Sequence, residues 1–192
     1  MQEPFDLFLL WYGEAMAANP GDHRGAVCLS ALDEEGFPDG RFVDFKGLHG
    51  NRFIFCTHLD SPKSRAIEAH AKVALTFWWD HLGRQVRVRG LAKRIGDTEA
   101  DAFFQARPRE ARLTAWTSRQ SSPLTSMEAL EQRFHEMRRR FSGAEVPRPD
   151  HWGGYGIEAV SIEFLAFRDN RLHRRTRYRR SETAWTAELL QP

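Results

Sequence analysis

Val73-Ala74-Leu75-Thr76-Phe77-Trp78-Trp79, then Asp80-His81-Leu82-Gly83, then Arg84-Gln85-Val86-Arg87-Val88-Arg89-Gly90-Leu91-Ala92-Lys93-Arg94 form one unbroken stretch of the chain. An apolar run with a heavy aromatic end stops at a polar turn closed by glycine. Beyond the turn the residues alternate, with Val86 and Val88 on one side and Gln85, Arg87 and Arg89 on the other. A period of two on both sides of a tight turn predicts antiparallel strands over 73–79 and 84–94. Upstream, Ala26–Leu32, Gly40–Lys46 and Arg52–Thr57 read as three more strands, separated by Asp33-Glu34-Glu35-Gly36 and His49-Gly50-Asn51. Downstream, Gly156–Phe167, Leu172–Arg179 and Ala184–Leu190 read as the last three. Closely spaced strands with short connections predict a small barrel, because closure removes exposed edges.

Helical spacing occupies the intervals. Phe5, Phe8, Leu9, Tyr12 and Met16 give a helix over Pro4–Ala18, broken by Asn19-Pro20-Gly21-Asp22. Ser61 and Pro62 open a short helix to about Ala69, with Ser61 as N-cap. Asp97–Ala106 and Pro108–Ala115 are two more. Thr125-Ser126-Met127-Glu128 has capping-box spacing, and Met127, Leu130, Phe134, Met137 and Phe141 follow at helical intervals. The fold class is mainly β, mostly antiparallel, with flanking helices in one domain over 1–192. Residues from about 147 onward complete the barrel.

Composition narrows the function. A hydrophobic content of 41% and a charged content of 28% describe an ordinary globular chain. The net charge of +2 makes any basic stretch a local feature and not a global nucleic-acid signature. No apolar run approaches membrane-spanning length. Met1-Gln2-Glu3-Pro4 carries no secretory signal, and Cys28 and Cys56 read as buried free thiols, so a cytoplasmic location is expected. The eight histidines are scattered, which predicts no metal site, and neither cysteine has a histidine nearby in sequence.

The densest charge lies at Arg171-Leu172-His173-Arg174-Arg175-Thr176-Arg177-Tyr178-Arg179-Arg180. Read as a strand, it puts Arg171, His173, Arg175, Arg177 and Arg179 on one face. Such a row is either a solvated edge or a surface with something anionic lying across it. Arg41, Lys46, Lys63, Gln85, Gln120 and Ser121 add cations and amides at strand ends and loops, with Lys63 at a helix start whose free N–H groups also favour anions. Each alone reads as surface. Together they match the needs of a planar phosphorylated ligand.

In order and at matching spacing, several segments resemble the pyridoxine/pyridoxamine 5′-phosphate oxidase family over nearly the whole chain. They are Arg41-Phe42-Val43-Asp44-Phe45-Lys46, Thr57 through Ser61 to Lys63, and Arg84 to Val88. They continue with Phe104 to Pro108, Ala115 through Gln120-Ser121, Glu145 to Pro149 and His151 to Tyr155. Ile162-Glu163-Phe164 and Arg171 through His173 and Arg175 to Tyr178 complete the series. The resemblance implies a split β-barrel homodimer with FMN in clefts at the subunit interface. It implies that Arg41, Lys63 and Arg175 serve the flavin and its phosphate, and that Gln85, Gln120 and Ser121 bond its polar groups. Phe42, Val43, Lys46, Cys56, Thr57 and Leu165 fall at further cofactor positions. Lys46 and Arg107, with Phe103 and Ala111 at neighbouring positions, look like the substrate-phosphate site. Arg171 and His173 look like the catalytic pair that holds the substrate ring. The implied chemistry is hydride transfer from the substrate C4′ carbon to flavin N5, with O2 reduced to H2O2 and pyridoxal 5′-phosphate formed.

Departures from the family pattern bear on the substrate. Phe103 and Ala111 stand where hydroxyl side chains usually assist phosphate binding. Asp44 puts a carboxylate beside the flavin, Pro62 replaces an arginine, Cys56 a tyrosine, Leu165 a tryptophan, and Arg174 an acid. A second reading therefore stands: an oxidase of the same fold acting on another ring, of the phenazine-pathway type. A third is a nucleic-acid-binding module using the arginine row, with Tyr178 and Trp185 as stacking partners, which the near-zero net charge opposes.

Overall fold

The structure, a computed structural model, describes residues 3–18, 25–182 and 184–192. Its elements run α1 (Pro4–Ala18), β1 (Ala26–Leu32), β2 (Pro38–His49), β3 (Arg52–His58), α2 (Pro62–Ala69), β4 (Lys72–Trp79), β5 (Arg84–Arg94), α3 (Asp97–Gln105), α4 (Arg109–Thr117), α5 (Met127–Arg140), β6 (Trp152–Ala166), β7 (Arg174–Arg180) and β8 (Trp185–Leu190). A single 3-10 turn over Asp80–Leu82 joins β4 to β5. The break expected at Asn19-Pro20-Gly21-Asp22 lies outside the described residues, as do Met1 and Gln2.

The sheet is antiparallel in the order β3-β2-β1-β4-β5-β6-β7-β8, and a further pairing of β3 with β6 closes it. Strand β6, 15 residues long, makes this possible. Its first half pairs with β3, from His58↔Trp152 to Arg52↔Glu158. Its second half pairs with β7, from Ser161↔Arg179 to Ala166↔Arg174. Strand β5 lines its other edge from Arg94↔Tyr155 to Arg84↔Ala166. Strands β1 to β6 thus form a barrel, and β7 and β8 carry the sheet past the closure.

Alternation sends Val27, Leu29, Phe53, Phe55, Leu75, Val86 and Val88 inward, where each is at most 1% exposed. Helix α1 stoppers this interior. Its Phe8 is fully buried, with ring centroids 4.8 Å from Phe53 and 5.0 Å from Phe77 in edge-on contacts. Helices α3, α4 and α5 cover a second, smaller core of Phe104, Leu113, Phe141, Val146 and Trp152.

Several local expectations are corrected. Strand β6 begins at Trp152, not Gly156. Gly153 and Gly154 are strand residues, and a Cβ on Gly154 would lie 2.5 Å from the Phe55 carbonyl oxygen of β3. Glycine here answers close backbone approach and not a loop. Strand β7 begins at Arg174, not Leu172, because Arg171 has φ +64° and Leu172 N–H turns back to Asn170 Oδ1 at 3.0 Å. Arg171 and His173 therefore do not alternate with Arg175. The cap of α5 is Ser126, whose hydroxyl accepts from Ala129 N–H at 3.1 Å, so Glu128 sits one position too early to close a capping box. Ser61 occupies the N-cap position of α2, but its hydroxyl donates to the His58 carbonyl at 2.8 Å. Cys28 and Cys56 are free and half-buried, not fully buried. No described helix is long and apolar enough to cross a membrane.

Gly90 marks a register shift between β5 and β6. A Cβ there would meet the Glu158 carbonyl oxygen at 2.4 Å and Ile157 Cγ2 at 2.8 Å. Gly90→Ala should therefore lower the unfolding free energy by about 2–3 kcal/mol, because backbone on a closed barrel cannot retreat. Urea denaturation checks this: a lower midpoint at unchanged slope is expected, and an unchanged midpoint would contradict the close approach.

Candidate functional site

The expected site residues fall into three groups in space. The first lies where α2 meets the ends of β2 and β3. Thr57 is the penultimate residue of β3 and Lys63 sits in the first turn of α2. Lys63 Nζ donates to Thr57 Oγ1 at 3.0 Å, to Ser61 Oγ at 3.1 Å and to Gln120 Oε1, on the loop between α4 and α5. All three partners are neutral, and Lys63 is 9% exposed. Burial pushes its ammonium down to about 8, and the nearby Arg41 charge pushes the same way, against a smaller opposing effect of Asp60. Arg41, on β2, pairs with Asp39, yet its Nη1 is buried without a hydrogen-bond partner. Burial lowers its pKa as well. Two cations held this close, one with an unused buried donor, make a site complementary to an anion. The free N–H groups expected at the α2 start contribute less than anticipated. Pro62 has no amide hydrogen, and Ser64 N–H is bonded to the Ser61 carbonyl at 2.9 Å. Ser121 follows Gln120 in the same loop, exposed, with φ +66°.

The second group is on the outer side of β3. Cys56 shares this strand with Thr57 but points the opposite way, and Lys46, Asp44 and Arg107 all act on its thiol. Burial raises that thiol to about 12, so it is not a nucleophile. Lys46 is ion-paired to Asp44. The Arg107 guanidinium lies 5.1 Å from the Trp152 ring centroid and 5.9 Å from that of Phe104, and its Nη1 is buried without a partner. His58, buried beside His151 at 5.2 Å between ring centroids, is pushed down to about 4 by burial and then by that neighbour, so it is neutral near pH 7. Phe103 packs on the His49 ring at 5.0 Å, and Ala111 is half-buried on α4. Phe42 is 74% exposed whereas Val43 packs against the core, so these two adjacent candidates cannot both offer side chains to one ligand.

The third group is on the outer wall of β5, β6 and β7. Cross-strand pairing sets Gln85 beside Leu165 and Leu165 beside Arg175. His173 lies just before β7, its ring 4.6 Å from that of Phe167, and its Nδ1 accepts from Arg168 N–H at 3.1 Å. Arg171 is exposed in the preceding turn. Arg168, Leu172, His173, Arg175, Leu189 and Leu190 line a cleft of about 350 Å³. The anions sought across the arginine row are present: Glu163 bonds Arg175, and Glu188 bonds Arg177 and Arg179. No hydrogen bond, ion pair or ring contact among the described residues joins this third group to the other two. No group of described residues could hold a metal ion. Glu163, Asp39 and His58 are site neighbours that the sequence does not single out, although Glu163 stands inside the segment Ile162-Glu163-Phe164 that carries part of the family resemblance.

Residues 17–141 match the family model described as pyridoxamine 5′-phosphate oxidase. Residues 152–192 match the pyridoxine 5′-phosphate oxidase C-terminal dimerisation region. A curated pyridoxine/pyridoxamine 5′-phosphate oxidase of Rhizobium leguminosarum bv. trifolii is 45% identical over 192 residues, covering 99% of this chain and 93% of that protein. Another, from Rubrobacter xylanophilus, is 45% identical and covers 99% of this chain and 87% of the relative. Among solved structures, PhzG from Burkholderia lata, in complex with tetrahydrophenazine-1-carboxylic acid, superposes with a TM-score of 0.93 at 30% identity, covering 100% and 94% of the two chains. A pyridoxamine 5′-phosphate oxidase-related, FMN-binding protein of Nostoc punctiforme shares the fold, with a TM-score of 0.79 at 16% identity. With both family models matched in sequence order, full-length relatives and a barrel of the same architecture, the chain belongs to the pyridoxamine 5′-phosphate oxidase family.

Proposed function

We propose that the protein is an FMN-dependent oxidase that converts pyridoxamine or pyridoxine 5′-phosphate to pyridoxal 5′-phosphate, working as a homodimer. The observation that carries the cofactor assignment is the cationic site at α2. Lys63 is buried with only neutral partners, and Arg41 keeps a buried Nη1 without one. A phosphate monoester supplies the charge and acceptors that both call for. Arg41, Lys63, Thr57 and Gln120 would hold the FMN phosphate. Gln85, Leu165 and Arg175 would meet the rest of the cofactor from the partner subunit, since Leu165 and Arg175 lie in the segment that matches a dimerisation region. Bound FMN supplies the two-electron acceptor, which O2 returns to its oxidised form with release of H2O2.

The chain's own residues bind and orient. Lys46 and Arg107 would take the substrate phosphate, Arg107 with its unused buried Nη1. Because Arg168 N–H donates to His173 Nδ1, Nε2 is the ring nitrogen left to donate to the substrate. Arg171 adds a cation beside it. Phe103 closes the phosphate site with an apolar ring. No strong general base is needed, because the protein's contribution is alignment and charge. A second reading, oxidation of another ring, is favoured by the likeness to PhzG and by the Asp44–Lys46 pair, in which a carboxylate competes with a substrate phosphate for the ammonium. The names of the 45% identical relatives favour the vitamin B6 reaction.

Peroxide release from FMN-loaded protein on addition of pyridoxamine 5′-phosphate or pyridoxine 5′-phosphate decides between these readings. Release supports the B6 reaction; no release with either, but oxidation of a tricyclic acid, supports the second. Arg171→Ala should abolish turnover and leave FMN binding unchanged, and equal loss of both would refute this division of roles.

FMN affinity should also depend on pH through Lys63. In the cofactor-free protein its ammonium titrates near 8, below its ordinary 10.5. Affinity should therefore fall about tenfold between pH 7 and pH 9 as the charge is lost, and Lys63→Met should flatten that profile. The stability of the cofactor-free protein should move the other way. The folded state sheds this proton first, so Lys63 contributes a stability gain as pH rises from about 8 to 10.5. Flavin fluorescence titrations and urea melts across this range check both signs.

A further inference from the structure

We infer that Glu163 is a positioning residue that fixes the Arg175 guanidinium for the cofactor, an inference that rests on the FMN reading above. Glu163 lies in the C-terminal part of β6, three residues before its end, and is 8% exposed. Cross-strand pairing puts Arg87 of β5 on one side of it and Arg177 of β7 on the other. A carboxylate buried on a sheet face needs hydrogen bonds to remain charged. Glu163 spends them on one partner. Its Oε1 accepts from Arg175 Nε at 3.1 Å and from Arg175 Nη2 at 2.7 Å.

The other arginines nearby do not depend on it in this way. Arg177 and Arg179 bond Glu188 at 2.9 Å and 3.1 Å. Arg87 Nη1 stands 3.8 Å from Glu163 Oε2, beyond hydrogen-bond reach. Arg175 is held from a third direction, since its Nη1 donates to the Gln191 carbonyl at 3.1 Å. A guanidinium has five N–H donors. Three are engaged here, which leaves two on a group whose orientation is set. Arg175 also lines the cleft of about 350 Å³ that it shares with His173. Its two free donors belong to a side chain that cannot swing away while Glu163 grips its inner edge.

Pre-organising a long cation in this way removes the ordering cost from the binding step. It also neutralises Arg175 on the side away from the ligand, where Arg87 and Arg177 would otherwise repel it. The alternative is a purely structural ion pair that knits β6 to β7 and has no effect on the ligand beyond stability.

A double-mutant cycle on FMN affinity separates the two. Flavin fluorescence quenching is measured on FMN-stripped full-length wild type, Glu163→Gln, Arg175→Met and the double variant, with circular dichroism melts to establish folding. Glu163→Gln should weaken FMN about tenfold, Arg175→Met at least as much, and the double variant no more than about twofold beyond Arg175→Met. Glu163→Asp keeps the charge but loses reach, and should fall between wild type and Glu163→Gln. It takes the place of Glu163→Gln in the cycle if the latter does not fold. Multiplicative losses in the double variant, or wild-type affinity in Glu163→Gln, would overturn the positioning role and leave the FMN reading intact. Wild-type affinity in Arg175→Met would overturn both.

Discussion

A buried ammonium with no carboxylate hydrogen-bonded to it is the constraint around which the site is built. Lys63 has Thr57, Ser61 and Gln120 for partners, and another cation, Arg41, for a neighbour. Water-starved charge of one sign costs several kcal/mol unless a counter-charge arrives. The barrel tolerates that cost because β2, β3 and α2 are fixed by the closure of the sheet, and none of them can move to relieve it. On the proposed function, a ligand rather than the fold meets that cost. A dianionic phosphate monoester is the simplest group that brings charge to both cations and acceptors to the unused guanidinium donor.

The same closure separates the remaining parts. Strand β6 runs from the Cys56 side of the barrel, where it pairs with β3, to the wall where Leu165 faces Gln85 and Arg175. One end lies beside β3, which carries Cys56 and Thr57; the other leads to the arginine and histidine of the C-terminal segment. A rigid barrel holds these on different faces of one chain. They can grip one flat cofactor only if a second copy brings its own β6–β7 wall to the first copy's α2 edge. The match of residues 152–192 to a dimerisation region supports this arrangement.

Period-two alternation, tight turns and helical spacing make the barrel and all five helices legible in the sequence, because burial on one face imposes those patterns directly. The site is legible there only as an inventory. Lys63, Thr57 and Gln120 converge in one hydrogen-bonded cluster, yet nothing in their spacing encodes that convergence, which depends on the packing of α2 and of the loop after α4. The arginine row fails at its start, since strand alternation does not extend through Arg171, where the backbone turns left-handed and Asn170 captures Leu172 N–H. The strand is expected to start only at Gly156 because a glycine in sequence does not distinguish a turn from two backbones in contact, which is what Gly154 answers. Glu163 gives no signal of its own, because an acid in an apolar strand looks like any solvent-facing residue until its neighbours across the sheet are known.

The proposed function requires that one flavin site be shared between Lys63 of one subunit and Arg175 of the other. Subunit mixing tests it directly. Lys63→Met and Arg175→Met proteins, each defective in FMN binding, are combined into a heterodimer with distinct affinity tags and titrated with FMN. If the site is shared, one of the two clefts carries both substitutions and the other carries neither, so half of the sites regain wild-type affinity. If each chain builds its own site, every cleft carries one substitution, and no high-affinity site returns.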